Sequence, residues 1–177
     1  MRRSVLVLVA LAVLASTFAS AAPAPAADVW TPVRFLVGTW TGTGGGEGPG
    51  QGVGTTTFQW DLEQKILVRR DHTEFPRTAE RPASSHDALM ILYPQGGALH
   101  GTYFDAAGHV IPYTLVAGMA AGTAQFLSDA GPGPRFRLTY QQDKSGDVAI
   151  TFEMGPPNAT AGFRPVTTGT VHKKADR

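Results

Sequence analysis

The chain has 177 residues, no cysteine and a formal net charge of +1. Without cysteine it can form neither a disulfide nor the thioether of a lipid anchor. Its near-neutral balance gives no basic field to attract nucleic acid or an anionic membrane.

The first segment reads as an address rather than as fold. Met1, Arg2 and Arg3 make a basic start, Val5 to Ala15 an apolar run, and Ala19-Ser20-Ala21 a small-residue cleavage signal. These are the three parts of a secretory signal peptide, and the run is shorter than the ~20 residues that span a bilayer. We therefore expect a signal peptide over 1–21, a short tether over 22–29 carrying Pro23 and Pro25, and one domain over 30–177. The mature protein is expected to be exported, periplasmic or secreted, with no membrane span once the leader is cut.

After the leader no helical periodicity persists beyond a turn or two. Thr31-Pro32-Val33-Arg34-Phe35-Leu36 predicts one such turn, with Thr31 capping and Pro32 at the first position. Short runs rich in Val, Ile, Thr, Phe and Tyr then predict strands near 37–43, 53–61, 64–73, 87–93, 98–104, 109–117, 122–128, 135–141, 147–154 and 165–173. Between them stand turn signals such as Pro94-Gln95-Gly96-Gly97, Asp105-Ala106-Ala107-Gly108 and Asp143-Lys144-Ser145-Gly146. Gly42 to Gly54 reads as a flexible loop at a barrel mouth. Late strands alternate clearly: Phe136, Leu138 and Tyr140 share one face, while Arg135, Arg137 and Thr139 share the other. About ten short strands in unbroken order predict an all-β, up-and-down antiparallel barrel whose closure removes exposed edges.

Phe35-Leu36-Val37-Gly38-Thr39-Trp40 carries a resemblance. A helical turn followed by Gly-x-Trp at the first strand resembles the entry of lipocalins and other calycins. The resemblance implies that Trp40 packs across the closed end of the barrel against a basic side chain from a late strand, with Gly38 allowing the tight backbone turn. The run Gly38-Thr39-Trp40-Thr41-Gly42-Thr43-Gly44 is similar to the nitrobindin-like heme-binding barrels, and to a bacterial group of exported lipocalin-like domains of unknown function. Phe58-Gln59-Trp60-Asp61-Leu62, Leu67-Val68-Arg69-Arg70, Tyr103-Phe104-Asp105 and the closing Gly169-Thr170 match that second group. The resemblance to the nitrobindin-like barrels implies a heme-ligating His on the last strand a few residues after a Pro. Counting from Pro165, that place falls near Gly169, and His172 lies three residues further on, on the opposite face of a strand. We therefore expect no bound heme or other cofactor.

Candidate chemistry is sparse. His72, His86, His100, His109 and His172 form no ligand motif, so no metal site is expected. Ser84-Ser85-His86-Asp87 lacks triad geometry, because neighbours on a strand point opposite ways, and it reads as a cap or turn. At the Asp105–Gly108 turn, pairing Phe104 with His109 sets Thr102 opposite Ile111 and His100 opposite Tyr113. That register makes His100, Tyr113, Thr102 and Ile111 candidate ligand contacts. A bulge at Gly108 would shift one strand and turn Tyr103 inward instead. Arg137 on an inner face would suit a carboxylate; on an outer face it is a solvated charge.

The sequence thus predicts an exported barrel that binds a small hydrophobic or amphipathic molecule. Two alternatives are a barrel enzyme of isomerase or cyclase type on a hydrophobic substrate, and a nitrobindin-like heme protein.

Overall fold

A computed structural model describes residues 28–46 and 50–175. The expected signal peptide and residues 22–27 of the expected tether lie outside the described residues. Asp28 and Val29, assigned to the tether, belong to the fold: the Asp28 carboxylate accepts from Arg34 at 2.6 Å, and Val29 packs against the core.

A six-residue 3-10 turn, Thr31–Leu36, precedes the first strand. Pro32 sits where a missing N–H costs nothing. The expected Thr31 cap is not made. Thr31 lies inside the turn, and Asp28 organises the entry by accepting from the Trp30 and Thr31 backbone N–H groups.

Ten strands follow: β1 Gly38–Gly46, β2 Gly50–Asp61, β3 Ile66–Phe75, β4 Ser84–Gln95, β5 Ala98–Asp105, β6 Val110–Leu115, β7 Thr123–Ser128, β8 Arg135–Gln142, β9 Val148–Gly155 and β10 Arg164–Lys173. Each pairs antiparallel with its sequence neighbours, and β1 pairs with β10, so the barrel closes with no free edge. The segment Gly42–Gly54 departs from the expected loop. β1 continues through Gly46, and β2 begins at Gly50. Likewise Ser84-Ser85-His86-Asp87 is the start of β4 rather than a cap or turn. Among the described residues no helix is long and apolar enough to cross a membrane.

One end of the barrel is plugged. Val33 and Leu36 of the 3-10 turn are buried there with Trp40, Phe58, Leu92, Leu99 and Phe126. Trp40 is 1% exposed; its indole N–H donates to the Leu36 carbonyl at 2.7 Å, so its polar atom is satisfied inside the apolar plug. Lys173 Nζ, from the end of β10, stands 5.6 Å from the Trp40 ring centroid. Gly38 holds φ +130, and a Cβ there would crowd Lys173 Cε at 2.9 Å. Above the plug, Tyr140 meets Phe58 and Phe126 edge-on, with ring centroids 5.7 and 6.3 Å apart. The aromatic layer forms the floor of what lies above.

Candidate functional site: the barrel interior

Above that floor the interior holds a cavity of about 470 Å³. Its wall is divided by strand. Leu138, Ile150, Phe152 and Val171, from β8, β9 and β10, make an apolar side. Arg69, Asp71, His86 and Tyr103, from β3, β4 and β5, make a polar side. Between them the wall is nearly bare: Gly42, Gly44, Gly52, Gly54 and Gly169 all line the cavity. At Gly42 a Cβ would overlap the Thr170 carbonyl oxygen, so the backbone of β10 stands where a side chain would be. These glycines leave interior volume unfilled and let β1 and β10 approach closely.

The polar side is built around one ion pair. Arg69 Nε lies 3.0 Å from Asp71 Oδ1 and 2.8 Å from Oδ2. Two residues apart on one strand, these side chains share the inner face. The Arg69 guanidinium lies over the Tyr140 ring at 5.5 Å from its centroid. Burial works against the charge on Arg69, but the Asp71 carboxylate and the neighbouring Tyr140 and Tyr103 together outweigh it and hold the guanidinium above its ordinary pKa. Burial pushes the Tyr140 and Tyr113 hydroxyls upward, with the positive Arg69 opposing. Tyr103 is pushed up to about 12, by burial first and then by the Asp105 carboxylate. Thr56 faces Asp71 across the β2–β3 ladder. Two buried polar atoms here, Thr56 Oγ1 and the Tyr140 hydroxyl, make no hydrogen bond among the described residues, and Asp71 Oδ2 has only its ion-pair contact with Arg69.

Nearer the mouth, the Tyr103 hydroxyl lies 3.4 Å from both His86 Nε2 and Asp105 Oδ2. Asp105 also accepts from the His109 ring at 2.9 Å. Burial raises the Asp105 carboxyl, but hydrogen bonds from His109 and the nearby imidazole charge outweigh it and hold the group below its usual range.

The structure divides the residues singled out from the sequence. Tyr103, Ile111 and Tyr113 point inward. His100 and Thr102 do not, because the hairpin register is one residue away from the expected one. Phe104 pairs with Val110, Thr102 with Pro112, and Tyr113 with Gly101. The cause is the turn. The Asp105 side chain accepts from the backbone N–H groups of Ala107 and His109, and Gly108 takes φ +88, so the ladder resumes one residue later. His100 lies on the outer surface, stacked 6.0 Å from Tyr93 and 3.2 Å from the Thr114 hydroxyl. Arg137 also faces outward. It holds Glu153 in a bidentate pair at 2.6 and 2.8 Å and lies over Phe163. Gly169 lines the cavity, whereas His172 is on the outer face, 2.8 Å from Asp147. Among the described residues, no three or more His, Cys, Asp or Glu are grouped to hold a metal ion.

The sequence does not single out Arg69, Asp71 and Thr56 as site residues. Arg-x-Asp spacing puts two opposite charges on one strand face, but Leu67 and Val68 are both apolar, so the alternation of β3 does not say which face is inner. The glycines carry a plainer signal: Gly42, Gly44 and Gly46 recur at the strand period.

No family model matches this chain, and no curated protein matches it. Among solved structures it is similar to Rv2717c from M. tuberculosis, with a TM-score of 0.60 and 14% identity over 86% of this chain and 99% of that one. The shared feature is the fold, a closed antiparallel barrel.

Proposed function

We propose that this protein is an exported, calycin-like barrel that holds one small amphipathic molecule in its interior. The observation that carries the reading is the cavity of about 470 Å³, apolar on the β8–β10 side and polar on the β3–β5 side. A largely apolar pocket with a few convergent polar groups is the usual form of a small-molecule site. The leader-like start of the sequence supports export. Gly169 at the cavity wall, where the heme-binding relatives are expected to carry a ligating His, argues against heme.

The test is native mass spectrometry of protein purified from its own host, beside the Ala88→Trp variant. Ala88 lines the cavity, so the larger ring would fill it. A retained small molecule in the wild type that is lost from a folded Ala88→Trp protein supports the reading. A molecule retained equally by both would overturn it.

A second reading, an acid–base enzyme on an apolar substrate, draws on the His86–Tyr103–Asp105 chain. His86 is 40% exposed at its side chain, near the mouth rather than sealed below it. The charged groups set deeper in the cavity, Arg69 and Asp71, are paired with each other, which favours binding over catalysis. Turnover of the retained molecule that is lost in His86→Gln would reverse the preference.

A further inference from the structure

The polar side of the cavity also has a definite recognition chemistry, and this step rests on the ligand-binding reading above. We infer that the head group it takes is an uncharged hydroxyl, an alcohol or a phenol, and that Asp71 accepts the hydrogen bond it donates while the Thr56 hydroxyl donates one in return.

Charge and unused hydrogen-bonding capacity select the head group. Arg69 is the cation of this wall, and its Nε is committed to Asp71 at 3.0 Å. The pair is neutral as a unit. An anionic head drawn to Arg69 would be brought against the Asp71 carboxylate, and a cationic head drawn to Asp71 would be brought against Arg69. Either would leave an uncompensated charge in a buried place, which costs more than a direct contact returns. A neutral group avoids both.

The remaining hydrogen-bonding capacity then narrows the choice. Asp71 Oδ2, 2.8 Å from Arg69 Nε, keeps a further lone pair and only accepts, whereas the Thr56 hydroxyl, without a hydrogen bond among the described residues, donates or accepts. Both atoms are buried, and Thr56 is 5% exposed. A hydroxyl matches this set, donating to Asp71 and accepting from a neighbouring hydroxyl. A ketone or ether has no proton for Asp71. The apolar wall opposite would take the hydrocarbon body of the same molecule.

Four matched probes test this by calorimetric titration of the full chain: para-butylphenol, para-butylbenzoate, para-butylbenzylamine as its ammonium form, and butylbenzene. The expected result is that the phenol binds tightest, by roughly tenfold or more over each of the others, as one hydrogen bond to a charged group would give. Asp71→Asn should erase the preference and raise benzoate binding, because Arg69 is then left without its counter-charge. Equal binding of phenol and butylbenzene, or tighter binding of benzoate or ammonium, overturns the hydroxyl assignment and leaves the cavity reading standing. No binding by any of the four overturns both. Should Asp71→Asn fail to fold, the order among the four on the wild type decides alone.

Discussion

Lys173 Nζ stands 5.6 Å from the centre of the Trp40 ring, so the last strand of the barrel clamps the side chain that opens the first. Trp40 sits opposite Lys173 in the β1–β10 ladder, and the same pairing therefore closes the sheet and caps the plug. Trp40→Ala is expected to lower unfolding free energy by roughly 3–5 kcal/mol, since it empties a fully buried site held on all sides. Lys173→Met should cost no more than about 1 kcal/mol, because the hydrocarbon stem is kept and only the cation–π term is lost. Urea denaturation of both variants checks the ratio.

The glycines of β1 make a sharper steric prediction. At Gly42 a Cβ would overlap the backbone of Thr170, and backbone cannot swing aside as a side chain can. Gly42→Ala should cost about 1–3 kcal/mol as an overpacked site. Gly131, with nothing within 4 Å of its would-be Cβ, is the control, and Gly131→Ala should stay within about 0.5 kcal/mol of the wild type. Comparable losses at both positions would contradict the close approach of β1 and β10.

Arg137 and Glu153 form a pair on the outer wall, with side chains 29% and 12% exposed. A double-mutant cycle with Arg137→Ala and Glu153→Ala should give a coupling of about 0.5–1 kcal/mol, modest because water screens the arginine. Arg137→Ala should also leave para-butylphenol affinity within about twofold, as expected of a residue outside the cavity. A large loss of affinity would return Arg137 to the site.

His72 titrates upward because Asp87 hydrogen-bonds its ring at 2.7 Å and Glu74 lies at 3.5 Å. A raised folded-state pKa means that the contribution to stability is fully present below the ordinary value of 6.5 and fades as pH rises through the raised one. His72→Gln should therefore lower the denaturation midpoint at about pH 5.5 and leave it unchanged at about pH 9. An NMR titration of the His72 ring in Asp87→Asn should show the pKa falling. A loss that is the same at both pH values would point to packing instead of charge.

Strand existence, strand order and the closed end were legible in the sequence. Short β-rich runs between turn residues determine an antiparallel meander, and Gly38-x-Trp40 after a helical turn announces its entry. What the sequence left open was direction across the wall. Tyr103 or His100 inside is a one-residue question. It is settled by how Asp105 binds the backbone of its own turn, and a slip of one residue exchanges every side chain between cavity and solvent. Arg69 and Asp71 were hidden for a related reason: β3 carries apolar and charged residues on both faces, so only closure of the barrel decides which charges are enclosed and paired. Composition alone makes the glycine run look like a flexible loop, while the strand pairing that turns those glycines into a bare inner wall comes from β10, more than a hundred residues further along the chain.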